Sequence, residues 1–243
     1  TSAAAMGSFI TAIMDSMTGS IESQINKMNH ICLCNFFAEK SKNSNNGFYG
    51  LVTAYNTAFG YESGDAGYLT PNTEAVLYNK DFVKFATRFI NNMVKYLGEE
   101  GTRYNVGDKI RATARDNMHC IMLTDFASSV SSYLESDTYH NELVSLPYYD
   151  EVTYWQYTGD TTAYRSGVVI IPSSEAGQAE PTTVTLQYIV GCLLDRQALG
   201  TTIKERWSAS DRINSERRTN YVEGVNCGWF NDLSENGVIF TLG

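Results

Sequence analysis

Proline is scarce in this chain, and its absence is most informative near the beginning. The 243 residues include four prolines, and none of them lies within residues 3–40. Glycine, the other residue that weakens helices, occurs there only as the isolated Gly7 and Gly19. Because no proline interrupts it, this stretch predicts one long α-helix, roughly 50 Å long at 1.5 Å per residue.

Apolar side chains recur along this predicted helix at helical spacing. Steps of three and four residues place eight of them on one stripe: Ile10, Met14, Met17, Ile21, Ile25, Met28, Cys32 and Phe36. The opposite side is polar, so we expect the stripe to pack on a sheet and the helix to act as a spine across the body. A coiled-coil strand is the alternative. Steps of four outnumber steps of three, unlike the 3.5-residue repeat of a coiled coil, and the flanking positions lack paired charges.

Long apolar runs and basic charge are also missing, which argues against two classes of partner. No run reaches the roughly 18 residues that a transmembrane helix needs, and the first residues lack the basic start of a signal peptide. We therefore expect a soluble, unexported chain with no membrane partner. Since 27 Asp and Glu outnumber 18 Lys and Arg, for a net charge of −9, a broad basic surface that binds nucleic acid tightly is not expected.

Cysteine occurs in an odd number and without the spacing of a metal site. The five cysteines are scattered through predicted helices and strands, which indicates reduced thiols used as small core side chains: Cys32, Cys34, Cys120, Cys192 and Cys227. His30 lies close to the first two in sequence. Residues two apart on a helix point about 200° apart, so Cys32 and Cys34 could bind one ion only if the helix were broken. No metal site is predicted.

Familiar catalytic motifs are absent as well. The sequence has no G-x-S-x-G elbow, no phosphate-binding glycine loop, no dinucleotide fingerprint and no H-E-x-x-H motif. His119 and Cys120 are adjacent on a predicted strand, which turns them to opposite faces and separates a potential nucleophile from its base. The sequence therefore predicts neither an enzyme nor a bound cofactor.

The remaining pattern predicts a mixed α+β fold, because helices and strands follow one another without a regular βαβ alternation. Asn79 or Asp81 can cap a helix that Gly98 ends. The dipeptide Asn236-Gly237 favours a hairpin turn into the last strand. The predicted elements after the spine helix are a strand in residues 47–58, a helix in 79–98, a strand in 119–123, a helix in 126–134, and strands in 167–172, 183–194, 221–229 and 238–242.

One long segment, residues 135–166, has no convincing helix or strand pattern. Such a segment in a compact domain is usually functional or is ordered by a partner. It contains the aromatic residues that interfaces favour, Tyr154, Trp155 and Tyr157. Its carboxylates, Asp137, Glu142, Asp150 and Glu151, could pair with Arg165 or Arg103 of an adjacent copy. We predict a subunit contact here, with the alternative that Trp155 packs inside its own domain.

Two further interpretations of charged residues remain open. The carboxylates of residues 135–166 could form a glycosidase-like pair, which would make the chain a hydrolase. A basic cluster of Arg212, Arg217 and Arg218 is either a solvated face or a contact with a subunit or a phosphate. A surface module that binds glycans is a third functional class.

The order of these elements resembles the major capsid protein of tailed bacteriophages, whose HK-type fold is shared with encapsulin shells. The long spine helix, the helix-strand-helix succession, the run Gly167-Val168-Val169-Ile170-Ile171-Pro172 and the strand that ends at Asp195-Arg196 match its order. The most specific stretch is Trp229-Phe230-Asn231-Asp232 with Gly237-Val238-Ile239-Phe240, which is similar to the C-terminal strands of phage capsid sequences. The family normally carries an N-terminal arm and an extended loop before the spine helix, whereas here the helix begins almost at Thr1.

The resemblance implies a structural, self-assembling protein. It implies a peripheral domain of residues 1–66 and 196–243, and an axial domain of residues 67–195 whose loop points to the capsomer axis. Copies would form hexameric and pentameric capsomers of an icosahedral head around the DNA genome, with scaffold and portal proteins as further partners and at most non-specific DNA contact. The chain would be made in the bacterial host cytoplasm and end in the virion capsid. An encapsulin-like cargo shell is the alternative within the same fold.

Overall fold

Four α-helices and nine β-strands form the part of the chain that the computed structural model describes, residues 3–42, 47–135, 147–156, 166–170, 184–214 and 218–243. The helices are α1 (Ala3–Lys42), α2 (Leu51–Phe59), α3 (Lys80–Gly98) and α4 (Thr124–Glu135). The strands are β1 (Phe48–Gly50), β2 (Met118–Leu123), β3 (Asp150–Val152), β4 (Val168–Ile170), β5 (Val184–Leu186), β6 (Ile189–Asp195), β7 (Leu199–Asn214), β8 (Arg218–Asn231) and β9 (Gly237–Thr241). Helix and strand are mixed, in agreement with the prediction.

A five-stranded sheet in the order β1-β9-β6-β2-β3 lies at the centre. Strands β2, β6 and β9 pair antiparallel, while the edge strands β1 and β3 pair parallel to β9 and β2. Every residue of β6 and β9 is buried. Because both faces of these strands are covered, their sequences are nearly continuous apolar runs rather than alternations of apolar and polar residues.

Two hydrophobic cores lie against the two faces of this sheet. On one face, α2, α3 and α4 contribute side chains such as Phe82, Ile90 and Phe126, which pack with Met122 and Phe240 of the sheet. On the other face, the C-terminal half of α1 contributes Leu33, Cys34, Phe36 and Phe37 to a core with Ile239 and Trp155. Full burial of one large apolar side chain is worth about 1.5–3 kcal/mol, so these cores hold the helices on the sheet.

The strongest local signals in the sequence predict their elements correctly. Helix α1 is one 40-residue helix. Helix α3 begins after Asn79, whose side chain accepts a hydrogen bond from the backbone N–H of Phe82 at 3.0 Å. This bond satisfies a backbone donor that the first helical turn leaves unpaired. Strand β2 leads directly into α4, as predicted.

The apolar stripe on α1 is only partly buried, which corrects the prediction that a sheet covers it. Ile25, Cys32 and Phe36 are buried, but Ile10, Met14 and Met28 are exposed. The physical reason is that the sheet and its core lie against the C-terminal half of the helix. Residues 7–24 lie beyond that core, and each of them is exposed or half-exposed.

The strand predicted in residues 47–58 is wrong for most of its length. Only Phe48–Gly50 is a strand, and Leu51–Phe59 is the helix α2. Leu51, Val52 and Tyr55 are buried at helical spacing, so packing against α3 and β9 decides the conformation of β-prone residues. Gly60 ends the helix in the left-handed conformation, with φ of 68°.

Two predictions about the later strands are also wrong. In place of the single strand predicted in residues 183–194, the described residues from Val184 onward form two strands in different sheets. Strand β5 pairs with β4, β6 pairs with β2 and β9, and Tyr188 between them has a positive φ of 58°. The Asn236-Gly237 hairpin does not form, because β8 pairs with β7 and β9 pairs with β6 and β1. Asn236 is instead buried, and its side chain donates a hydrogen bond to Thr113 Oγ1 at 3.2 Å.

Strands β3 and β7 were not predicted from the sequence. Strand β3 lies inside residues 135–166 and is only three residues long. Strand β7 pairs with β8 in a long antiparallel ribbon, with a register irregularity between Ile203 and Glu205. The predicted division into two domains stays a prediction. Strand β9, from the proposed peripheral domain, pairs with β6 from the proposed axial domain.

Candidate assembly surface

The residues predicted to form a subunit contact occupy different environments. Asp137, Glu142, Tyr157 and Arg165 lie outside the described residues. Tyr154 is 37% exposed and follows the edge strand β3. Asp150 lies on β3, and its carboxylate is 2.6 Å from Nε2 of His119 on the neighbouring strand β2. Within one chain, this contact joins the predicted loop to the sheet.

Trp155 belongs to the core, so its place in the predicted contact is corrected. Its side chain is fully buried, its indole N–H donates to the carbonyl oxygen of Ile189 at 2.8 Å, and its ring meets Phe37 edge-on at 5.2 Å. Its own carbonyl oxygen accepts a hydrogen bond from the thiol of Cys34 at 3.3 Å. A side chain with no exposed area has no surface to offer a neighbouring subunit, and the alternative of packing within its own chain is what the structure shows.

The described residues contain no metal-binding cluster, and the buried cysteines among them are poorly suited to act as nucleophiles. No group of three or more His, Cys, Asp or Glu in the described ranges is placed to hold a metal ion. Burial raises the pKa of the Cys34 and Cys120 thiols to about 12, so both are protonated near neutral pH and are poor nucleophiles. His119 points to Asp150 at the surface while Cys120 is buried, so the two adjacent residues do face opposite ways. No helix in the described part of the chain is long and apolar enough to cross a membrane.

A different surface, formed by the outer half of α1, carries large apolar side chains in contact with solvent. Phe9 is 65% exposed, and Ile10, Ile13 and Met14 are between 38% and 47% exposed. Phe9 and Ile13 are four residues apart, as are Ile10 and Met14, so the four side chains lie on one face of the helix. Exposed apolar side chains are common singly, but a contiguous group marks a binding surface.

The β7–β8 ribbon runs alongside this half of α1 and contacts it through polar groups. The Thr18 hydroxyl donates to the Glu223 carboxylate at 3.2 Å, Arg206 lies 2.6 Å from Glu22, and the indole N–H of Trp229 donates to Asn29 at 2.9 Å. We call residues 3–29 of α1 together with β7 and β8 the extension, and the rest of the described chain the body. The two parts of the extension are held together by hydrogen bonds and an ion pair.

The ribbon face that points away from α1 also carries exposed apolar side chains. Successive strand residues point to opposite faces. Glu223 and Trp229 contact α1, so the even-numbered residues of β8 lie on the outer face. These include Val222, Gly224, Gly228 and Phe230. Trp207 is paired with Gly224 and covers it, so it lies on the outer face as well. Trp207, Val222 and Phe230 are between 45% and 49% exposed.

The extension therefore exposes more large apolar side chains than its own packing covers. Polar contacts join its two parts, while large apolar side chains on α1 and on the outer ribbon face meet solvent. This arrangement leaves the hydrophobic side chains available for another surface. The sequence pattern pointed to a different contact, in residues 135–166. The signal that could have identified the extension is that residues 3–14 contain no charged side chain, which is unusual for an exposed helix.

Comparison with known proteins identifies a family for nearly the whole chain. The model of a family described as Phi29-like phage major capsid protein matches residues 1–241. Among solved structures, the chain is similar to a chain in the capsid structure of Staphylococcus phage Andhra, at 8% sequence identity and a TM-score of 0.36. That similarity covers 66% of this chain and 52% of the other, so this chain spans about half the length of its structural relative. No curated protein matches the chain.

Proposed function

Because the chain belongs to the Phi29-like phage major capsid protein family, we propose that copies of it bind one another to build the icosahedral head of a tailed phage. The family is structural, so the chain is a capsid protein and not an enzyme. The match covers the spine helix, the central sheet and the ribbon together.

The observation that supports self-association is the exposed apolar surface of the extension. A chain with two buried cores has enough apolar area to stabilise its own body, yet it leaves large side chains of α1 and of the ribbon in solvent. Contact surfaces in protein complexes favour such aromatic and apolar residues at their centres. A second copy of the chain is the partner that a shell protein meets most often.

The proposal includes the HK-type arrangement. Residues 1–66 and 196–243 would form the peripheral domain, with α1 as its spine, and residues 67–195 the axial domain. The central sheet would be shared by both, because β9 and β1 come from the first and β6, β2 and β3 from the second. This sharing would give the two domains a rigid connection.

The segment of residues 135–166 would face the capsomer axis, with Trp155 as its anchor in the body. Tyr154 follows β3 and precedes the buried Trp155, so it would be held at a fixed position on the surface. Tyr157, Asp137, Glu142, Asp150 and Arg165 would complete the contact between copies. Scaffold and portal proteins, non-specific contact with packaged DNA and synthesis in the host cytoplasm belong to the same proposal.

The test is the size of the purified chain as a function of concentration. We expect sedimentation velocity to show large species that grow with concentration, and negative-stain microscopy to show shells, tubes or sheets. A small discrete species at every concentration would contradict self-assembly. A hydrolase would form such a species, but no catalytic pair is seen in the described residues, and Asp150 is already paired with His119.

A further inference from the structure

The two apolar surfaces of the extension differ in shape. The outer end of α1 is convex, with Phe9, Ile10, Ile13 and Met14 on one side of a helix. Residues 3–14 contain no charged side chain. The outer ribbon face has raised rings and a low centre, and its dimensions can be derived from the strand register.

Two aromatic rings on the outer ribbon face lie over glycines of the paired strand. A Cβ added to Gly200 would come within 2.8 Å of the Phe230 ring, and one added to Gly224 within 2.5 Å of the Trp207 ring. Both positions lack a side chain because a ring occupies the space above them. The two rings rise from the face at opposite ends of the segment from Gly224 to Phe230.

Between the rings, the outer face carries two cross-strand pairs, Glu205 with Asn226 and Thr202 with Gly228, and it is lowest at Gly228, which has no side chain. A Cβ added to Gly228 would meet no atom within 4 Å. Phe230 lies six positions after Gly224, which is about 20 Å along a strand. An α-helix with its side chains is about 10–12 Å wide, so one helix can lie across Gly228 between the two rings. We call this low region the saddle.

We propose that the outer end of α1 of one copy lies in the saddle of a second copy. This inference rests on the proposed function, since it names the surfaces through which copies associate. The contact is heterologous, because the helix of one copy meets the ribbon of the next, and the pair retains one unused helix and one unused saddle. Such contacts repeat from copy to copy, as the growth of a shell requires.

The uncharged end of α1 is the part of a second copy that can approach this acidic chain without like-charge repulsion. Each copy has a net charge of −9, so copies repel one another unless the contact itself is uncharged or complementary. In the strand register, Glu205 lies opposite Asn226, so its carboxylate is on the saddle side of the ribbon. The uncharged end of α1 meets this carboxylate without like-charge repulsion, whereas an acidic helix would be rejected.

The experiment uses one variant of each surface in the full chain. Ile13→Glu places a charge on the helix face and keeps a good helix former. Gly228→Leu adds a large side chain to the saddle at a position where an added Cβ meets no atom within 4 Å. We expect each variant alone to need at least a tenfold higher concentration than the wild type to assemble, with unchanged thermal unfolding.

Gly101→Leu is the matched control for the glycine variant. An added Cβ at Gly101 also meets no atom within 4 Å, and the residue lies in the body, away from the extension. We expect it to assemble like the wild type. Should Gly228→Leu unfold, Phe230→Ser at the edge of the saddle replaces it, because that side chain is 47% exposed.

Mixing the two variants tests the head-to-tail geometry. Ile13→Glu retains an intact saddle and Gly228→Leu retains an intact helix, so the mixture has one complete contact per pair. We expect 1:1 heterodimers by sedimentation velocity, which neither variant forms alone. An absence of heterodimers, as expected if two helices pair with each other or if another partner covers them, overturns the inference.

The outcomes also separate this inference from the proposed function. Wild-type assembly together with equally strong assembly of both single variants overturns the saddle contact and leaves the capsid role intact. A wild-type chain that stays monomeric at every concentration overturns self-assembly itself, and the saddle contact with it.

Discussion

The two halves of α1 show how one helix can serve two purposes. In the body, Phe36 and Phe37 are fully buried between the helix and the central sheet. In the extension, Phe9 is mostly exposed, and the nearby ribbon is bound through Thr18, Glu22 and Asn29. The same apolar residue type therefore stabilises the fold at one end of the helix and is available to a partner at the other. Apolar content alone does not tell which half supports folding.

The tryptophans provide the largest expected contrast between body and extension. Trp155→Ala should lower the free energy of unfolding by about 3–5 kcal/mol, toward the upper end of that range. The change empties a core site and also removes the hydrogen bond to the Ile189 carbonyl. Trp207→Ala should change it by about 1 kcal/mol or less, since that ring lies at the surface. Urea unfolding of the dissociated chain measures both. Equal losses at the two sites would show that the extension contributes to the fold as the body does.

A smaller contrast is expected between two phenylalanines of the same helix. Phe37→Ala should cost about 3–5 kcal/mol of unfolding free energy, and Phe9→Ala about 0.5 kcal/mol or less. Assembly should show the opposite order, with Phe9→Ala raising the concentration at which large species form. Thermal unfolding and sedimentation velocity on the same samples provide both measurements. If Phe9→Ala assembles normally, the exposed face of α1 is not a contact surface.

Lys40 tests the body through a buried charge. It is 4% exposed, its ammonium group donates to the Tyr104 carbonyl at 2.7 Å, and burial lowers its pKa to about 8. Below about pH 8 the folded protein carries this buried charge, and its desolvation lowers the free energy of unfolding. Between about pH 8 and 10.5 the folded protein loses the proton while the unfolded chain retains it, so this group makes stability rise with pH.

Lys40→Met should remove that dependence. Near neutral pH we expect the variant to be more stable by up to about 3 kcal/mol, because the desolvation cost disappears. The Tyr104 carbonyl still accepts the N–H of Gly237 at 3.0 Å. The difference in unfolding free energy between variant and wild type, measured from pH 7 to 10, should shrink as pH rises. A constant difference would mean that the side chain reaches water.

The smallest effect is expected where helix and ribbon meet in the extension. Arg206 and Glu22 are 2.6 Å apart, and both side chains are about half-exposed. A double-mutant cycle with Arg206→Met and Glu22→Gln should give a coupling of about 0–1 kcal/mol that weakens with salt. A coupling of several kcal/mol would indicate that the extension is stabilised from within and needs no partner.

Sequence by itself determined the elements whose signals are local. The absence of proline and the recurring apolar residues predicted α1, and the capping residue Asn79 and the apolar spacing after it predicted α3. Helical hydrogen bonds join residues four apart, so the information for a helix lies in the helix itself. The alternation in residues 221–229 likewise predicted β8. The resemblance to phage capsid proteins was also carried by the order of elements, and the family match agrees with it.

Tertiary structure decided what depends on distant partners. Leu51, Val52 and Tyr55 suit a strand by propensity, and packing against α3 and β9 makes them helical. Asn236-Gly237 suits a hairpin by its conformational freedom, but the strand before it pairs with β7. Strand β7 itself was missed because Lys204, Glu205 and Arg206 interrupt its alternation, and its register with β8 shifts at that point.

The candidate surface shows the same division. The lack of charge in residues 3–14 and the aromatic residues of the loop were visible in the sequence, but exposure was not. Burial depends on which surfaces meet, and these surfaces come from residues far apart in the chain. Trp155 is buried because Phe37 and Ile189 lie against it, more than 30 residues away in sequence. Phe9 is exposed because the core to which α1 contributes lies against only the other half of the helix.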